Sequence, residues 1–215
     1  GGDVLDVIGG SFPNKEQKEM LFSTEQIIKG EDSTFTVVTN NRSGIISKVA
    51  GVLALNGLGV FGAAAHTENG RLLTVFRVER KKSQEIKWEL IEDQAEKALA
   101  GRLAVAARLG ERSRFDQKTK ATARPVQPRL TVDNETSEVA PVLEISCLDE
   151  PGILYRITRA FTELDLDIVS ARVQTLGSEV IDAFYIRDQS GNKVEDPEHL
   201  AEIELAVLRW IGMDL

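Results

Sequence analysis

The chain contains its own near-copy. Residues 149–157, DEPGILYRI, are echoed 108 positions earlier by residues 41–49, NRSGIISKV. Laid on 149–187 without a gap, 41–79 keeps Gly44/Gly152, Ile45/Ile153, Leu58/Leu166, Ala63/Ala171, Thr67/Thr175 and Phe76/Phe184 identical. Ile46/Leu154, Lys48/Arg156, Val49/Ile157, Val60/Ile168, Leu73/Ile181 and Val78/Ile186 are conservative pairs. The apolar positions hold their register throughout, as two copies of one supersecondary unit would. A chain of 215 residues has room for two ordinary domains.

Each copy reads as the same series of elements. In the second, VLEISC (142–147) is rich in β-formers. LDEPG is a turn whose Pro151 suits a first helical turn. Ile153, Leu154, Ile157, Phe161 and Leu164 then recur at helical spacing, and the helix should stop between Leu164 and Asp167. IVSARVQT alternates, Leu176-Gly177-Ser178 is a hairpin turn, and VIDAFYI is the returning strand. Pro197 opens a last helix with Leu200, Ile203, Leu205, Val207, Leu208 and Ile211 on its apolar side. The first copy has a strand at 34–39, a helix at 44–56, a strand at 58–67, a turn at Asn69-Gly70 and a strand at 72–79. One long helix is expected over 83–109, with Ile86, Leu90, Ile91, Ala95, Ala98, Leu99 and Leu103 inward. PRLTV (128–132) is expected to complete the first copy as its fourth strand. This βαββαβ order is the ferredoxin-like arrangement, an α+β fold with antiparallel sheet and helices on one face. The second copy shows no fourth strand after its last helix, and VLDVI (4–8) is a weak candidate. The expected divisions are an extension over 1–30, one domain over 31–134 and a second over 135–215.

Composition excludes several classes. The net charge is −8, and residues 135–215 hold 17 acidic against 6 basic side chains. Such a half repels phosphates, so nucleic acid is not an expected partner. The basic stretch 112–129 has no aromatic interleaving and reads as a solvated linker. Apolar runs such as GVFGAAA fall far short of the ~20 residues of a membrane span, so no membrane partner is expected either. A lone Cys147 permits no intrachain disulfide and fits a reducing cytoplasm. The chain starts Gly-Gly rather than Met, which reads as a piece of something longer.

The D-x-P-G-[IL] corner between strand and helix, followed by the pattern of SARVQTLG and the closing F-x-I strand, resembles the ACT domain, a small ligand-sensing module. The run from TVDNETSEVAPVLEISCLDEPGILYRI onward resembles the tandem ACT region of the PII uridylyltransferase/uridylyl-removing enzyme family. The likeness covers about 31–215, and the first copy departs from it, with Asn41 and Ser43 where the motif has Asp and Pro. The resemblance implies tandem ACT domains that sense an amino acid, glutamine in that family, and control catalytic domains absent from this stretch. It implies PII as a partner through the parent enzyme, magnesium as that enzyme's cofactor and none for this stretch, and uridylyl or adenylyl transfer as the parent activity. It places ligand contacts at Asp149, Glu150, Gly152, Ile153 and Leu154 in one copy and Asn41, Gly44, Ile45 and Ile46 in the other.

The corner has suitable chemistry for an amino acid. N–H groups at a helix start accept a carboxylate. The side chain of Asp149 or Asn41 can accept from an ammonium group. Glycine at 44 and 152 lets a ligand or a backbone come close. The competing reading is that Asn41 and Asp149 are helix N-caps. Catalytic signals are weak. Gly10-Ser11 is far from the carboxylates Asp165 and Asp167, which read as a helix exit, and His66 and His199 are the only histidines. Cys147 reads as a packing residue. This stretch is therefore not expected to be an enzyme. The alternative to a sensor is an interaction or dimerisation module built from paired ACT sheets, with a homodimer formed through sheet edges.

Overall fold

The computed structural model describes residues 20–26, 32–79, 85–116, 127–138, 140–150, 152–176 and 179–212. The first half comprises β1 (Met20–Gln26), β2 (Asp32–Asn40), α1 (Ile45–Leu55), β3 (Gly59–Glu68), β4 (Arg71–Glu79), α2 (Trp88–Leu99) and α3 (Val105–Asp116). The second comprises β5 (Arg129–Asp133), β6 (Val142–Leu148), α4 (Ile153–Glu163), β7 (Asp167–Leu176), β8 (Glu179–Arg187) and α5 (Pro197–Ile211).

The strands form one eight-stranded sheet in the order β1-β2-β4-β3-β7-β8-β6-β5, every neighbour antiparallel. The order is a palindrome of the repeat, with β3 and β7 meeting at the centre. Their register pairs Ala64 with Arg172, Ala63 with Val173 and Ala65 with Ala171. Ala64 and Arg172 are 108 residues apart, so they are the same position in the two copies. A pseudo-twofold axis therefore passes through that pair. The edges that a lone ferredoxin-like unit leaves open are joined to each other here.

Local irregularities repeat as well. β3 carries a bulge between Val60 and Gly62, and β7 carries one between Ile168 and Ser170, again equivalent positions. After α1, Gly57 takes φ 74° and the Leu58 N–H bonds to the Leu53 carbonyl at 3.1 Å. After α4, Asp165 takes φ 55° and the Leu166 N–H bonds to the Phe161 carbonyl at 2.9 Å. Both are left-handed helix exits that return the chain to the sheet. Asp165 is thus a helix exit, as its sequence context suggests.

The core lies on the helix-covered face. Phe35, Val37, Phe76 and Val78 of the first half and Leu143, Ile145, Phe184 and Ile186 of the second are buried there. Phe161 and Phe184 pack edge to face at 5.1 Å, and Trp88 stacks on Phe35 at 5.9 Å. α1 and α4 pack on each other across the axis, α2 and α3 flank α1, and α5 flanks α4. Gly51 permits this crowding. A Cβ there would stand 2.3 Å from Val105 Cγ1 and 2.8 Å from Tyr155 Cδ2.

Three expectations are corrected. The segment read as one helix over 83–109 is two helices, because Gly101 at φ 73° ends α2 with a 2.7 Å bond from the Arg102 N–H to the Lys97 carbonyl. Leu90 of that segment is 43% exposed rather than inward, and Leu205 of α5 is 62% exposed, since Ile203, Val207 and Ile211 form the buried row. The strand over 128–132 does not complete the first copy. As β5 it pairs with β6 and supplies the outer strand of the second, while β1, from the stretch read as an extension, does so for the first. In each half the outer strand thus precedes the β-α-β-β-α series in the chain. VLDVI (4–8) lies outside the described residues.

Substituting Gly51 by Val tests the close packing across the axis. Overpacking against Val105 and Tyr155 should cost about 1–3 kcal/mol. Chemical denaturation would show this as a lower midpoint with an unchanged slope.

Candidate functional site

The two strand-to-helix corners are built alike. β2 ends at Asn40, and Gly44 holds the position before α1 at φ 81°, ψ 4°. β6 ends at Leu148, and Gly152 holds the position before α4 at φ 80°, ψ 9°. A left-handed φ at these positions favours glycine. No side chain caps either helix. The capping reading of Asn41 and Asp149 is therefore replaced: glycine occupies the cap position at both corners. Ile45, Ile46, Ile153 and Leu154 are buried and anchor the first helical turns. Pro151 lies outside the described residues.

Each corner abuts the far end of the other half's helix. A Cβ on Gly44 would lie 3.1 Å from Thr162 Cγ2, and one on Gly152 would lie 3.8 Å from the Ala54 Cβ. Ala54 and Thr162 are repeat equivalents. The corners are thus the places where the two halves touch through loops rather than through the sheet.

At the first corner the Asn41 Nδ2 donates to Asp167 Oδ2 at 2.9 Å, tying β2 of one half to β7 of the other. Burial raises the Asp167 carboxyl above its ordinary range, opposed by this bond from Asn41 and by Arg187. A cavity of about 20 Å³ is lined here by Asn41, Gly44, Ile46, Thr158, Phe161 and Asp167, among others. That is room for about one water molecule. A larger groove of about 320 Å³ opens on the other side of α1, against Ser47, Lys48, Leu103, Tyr155 and Arg159. The far-side residues Thr158, Phe161, Thr162 and Asp167 had no signal in the local sequence of the first copy. Their signal is the repeat itself, once the two copies are placed about an axis.

The second corner differs in charge. Glu150 is ion-paired with Arg156 at 2.7 Å, and Arg156 also donates to the Ile211 carbonyl at 2.9 Å. Asp149 is partly buried, which raises its carboxyl, and the neighbouring Glu79 and Glu150 raise it further. The position equivalent to Asp167 is Gly59, so no side chain there can bridge to Asp149, and the Glu79 side chain lies against Gly59 instead.

On β8, Asp182 is 0% exposed and lies close enough to Asp149 for the two carboxyls to repel. Burial pushes its carboxyl from 3.8 up to about 7, with a contribution from Asp149, against a hydrogen bond from the Gln174 N–H. It shares the covered face with Val180, Phe184 and Ile186. Strand parity places it inward, but an acid in VIDAFYI drew no attention beside the corner motif. Cys147 is buried too, and burial pushes its thiol up to about 12, so it is unreactive. Among the described residues no group of three His, Cys, Asp or Glu is placed to hold a metal ion. Among them also, no helix is long and apolar enough to cross a membrane.

Residues 129–209 match the family described as ACR9-like, ACT-like domain. The bifunctional uridylyltransferase/uridylyl-removing enzyme of Gluconobacter oxydans is 33% identical over 178 residues, 80% of this chain and 19% of that protein. The enzyme of the same name from Rhodospirillum rubrum is 34% identical over 181 residues, 81% of this chain and 19% of that one. The chain is similar to an ACT-type segment of these enzymes. It spans about a fifth of the length of these relatives. Among solved structures, an aspartate kinase from Synechocystis superposes with a TM-score of 0.41 at 13% identity, over 85% of this chain and 27% of that one.

The raised carboxyl of Asp182 fixes a pH dependence. A group whose folded pKa exceeds its unfolded one holds its proton longer when folded. It therefore lowers stability as pH rises between 3.8 and about 7. Replacing Asp182 by Asn should remove that fall. The variant should unfold at a higher denaturant midpoint than the parent at pH 8 and show no such gain near pH 3. A variant less stable at pH 8 would mean that the charged carboxylate is favourable where it sits.

Proposed function

We propose that this chain is the amino-acid-sensing part of a PII-modifying nucleotidyltransferase, with glutamine as its ligand. The reading rests on one observation above the others. The corners that carry the ligand-type residues are also the contacts between the two halves, one closed by the Asn41–Asp167 bond. The cavity of about 20 Å³ at the first corner is far smaller than an amino acid. A ligand seated at such a corner has to part the end of one half's helix from the other half's turn. Binding is then coupled to the spacing of α1 and α4, a difference between two states that a ligand can bias.

The names of the relatives supply the rest of the proposal. They are uridylyltransferases and uridylyl-removing enzymes, and this chain corresponds to a small part of each. The proposed role is therefore control of catalytic domains elsewhere in a longer protein, with PII met through those domains. The ligand's carboxylate goes to the first-turn N–H groups of α1 or α4, and its ammonium to Asn41 or Asp149.

Calorimetric titration of the purified chain with each of the twenty amino acids tests this. Glutamine or a close analogue should bind. One of Asn41→Ala and Asp149→Ala should weaken that binding tenfold or more, which is the loss of about 1.5–3 kcal/mol from a charge-assisted hydrogen bond. Asp149→Ala should leave unliganded stability unchanged, because it caps no helix. No heat and no thermal shift with any amino acid would reject sensing by this chain and leave it as an interaction module.

A further inference from the structure

On the covered face of the sheet, several buried polar atoms lack a hydrogen-bond partner among the described residues. Thr67 Oγ1 and Thr74 Oγ1 in the first half, and Thr175 Oγ1 and Asp182 Oδ2 in the second, are buried without a hydrogen-bond partner among the described residues. Thr67 and Thr175 are repeat equivalents, and so are Thr74 and Asp182. A buried polar atom left unpaired is destabilising. Both halves bear that cost at the same two positions, on β3 and β4 and on their equivalents β7 and β8. A ligand group that supplies the missing partner would relieve it.

Charge separates the two halves. In the second, Asp182 Oδ1 accepts from the Gln174 N–H at 3.3 Å while Oδ2 has no hydrogen-bond partner among the described residues. In register, Asp182 sits between Ile145 of β6 and Val173 of β7, so Cys147 and Thr175 are its diagonal neighbours on the covered face. Asp149 stands above at the rim with Glu79 and Glu150 near it. The first half has neutral Thr74 in place of Asp182, and its corner has Arg42 and Lys48 where the second has Glu150 and Arg156, with Arg159 in the adjoining groove. Its Asn41 is already bonded to Asp167. At the first corner an ammonium group meets Arg42 and Lys48, with the Asp167 carboxylate already bonded to Asn41; at the second it meets Asp149 and, nearby, Asp182, with Glu150 paired to Arg156.

We propose that the second corner is the amino-acid site of this chain, and that Asp182 receives the ligand's ammonium group. The assignment rests on the amino-acid reading above and adds which corner binds and through which residue. An ammonium has three donors. Asp182 Oδ2 and its diagonal neighbour Thr175 Oγ1 are unpartnered acceptors among the described residues, and the Asp149 carboxylate is close enough to act on Asp182. The ligand's carboxylate then lies toward the first turn of α4, on the side away from Asp182. Asp182 is in this scheme the deep anchor, and Asp149 the rim contact.

The test uses the chain as it stands, at pH 8. The amino acid that gives the strongest heat with the parent chain is titrated, together with its N-acetyl derivative, into the parent, Asp182→Asn and Asp182→Thr. The second variant installs the residue that the first half carries at this position. Each variant should bind the free amino acid at least tenfold more weakly. Neither should change the already weak binding of the N-acetyl form, which has no ammonium to place. A merely structural role would weaken both ligands alike and would overturn the assignment. So would undiminished binding of the free amino acid by folded Asp182→Asn, which leaves the sensing reading intact. Silence from every amino acid with the parent chain would remove the sensing reading and this assignment together.

Discussion

The antiparallel pairing of β3 with β7 is the contact on which the rest depends. It is made by the run Gly62, Ala63, Ala64, Ala65 against Ala171, Arg172 and Val173. Small residues there leave the covered face low at its middle, where α1 and α4 cross above it. That crossing brings the far end of each helix to the opposite half's corner, placing Thr162 by Gly44 and Ala54 by Gly152. If the strands paired in another register, neither corner would have its second wall. The repeated bulges, at Val60/Gly62 and Ile168/Ser170, bend each central strand close to where its helix hands over to the sheet.

Much of this was legible in the residues, because the repeat is ungapped. Phe76 and Phe184 mark the same inward position, Leu58 and Leu166 the same return from helix to sheet, and Gly44 and Gly152 the same left-handed turn. What was not legible was placement that depends on long-range pairing. PRLTV reads as a strand from its own composition, but nothing within five residues says which edge it joins. Its partner β6 does that, through Leu130 opposite Ile145 and Val132 opposite Leu143. The apolar spacing runs through Gly101 without interruption, so by pattern alone the segment reads as one helix. A single left-handed glycine outweighs such spacing, since it closes the last turn of α2 with its own hydrogen bonds.

The candidate site was legible in outline only. The corner motif drew attention to the turn, and the turn does lie at the contact between halves. Its capping interpretation failed because glycine, not Asx, stands in the cap position. The wall that faces each corner comes from the other half of the chain, Thr162 for Gly44 and Ala54 for Gly152. Asp182 shows the difficulty. Its neighbours at i±2 are Val180 and Phe184, so alternation marks it as inward, yet only the assembled sheet shows that one of its oxygens has no partner among the described residues.

The pseudo-twofold axis at Ala64 and Arg172 has one more consequence. Two separate copies of a single unit, paired in this way, would present two identical corners, and every substitution would alter both at once. With both units on one polypeptide, a change falls on one corner and spares the other. Thr74 and Asp182, or Arg42 and Glu150, can then drift apart while the shared sheet holds them in matched positions. Covalent joining of the halves thus gives freedom to specialise, so that one pocket can acquire a taste for a particular molecule while its twin keeps the structural duty of holding the pair together.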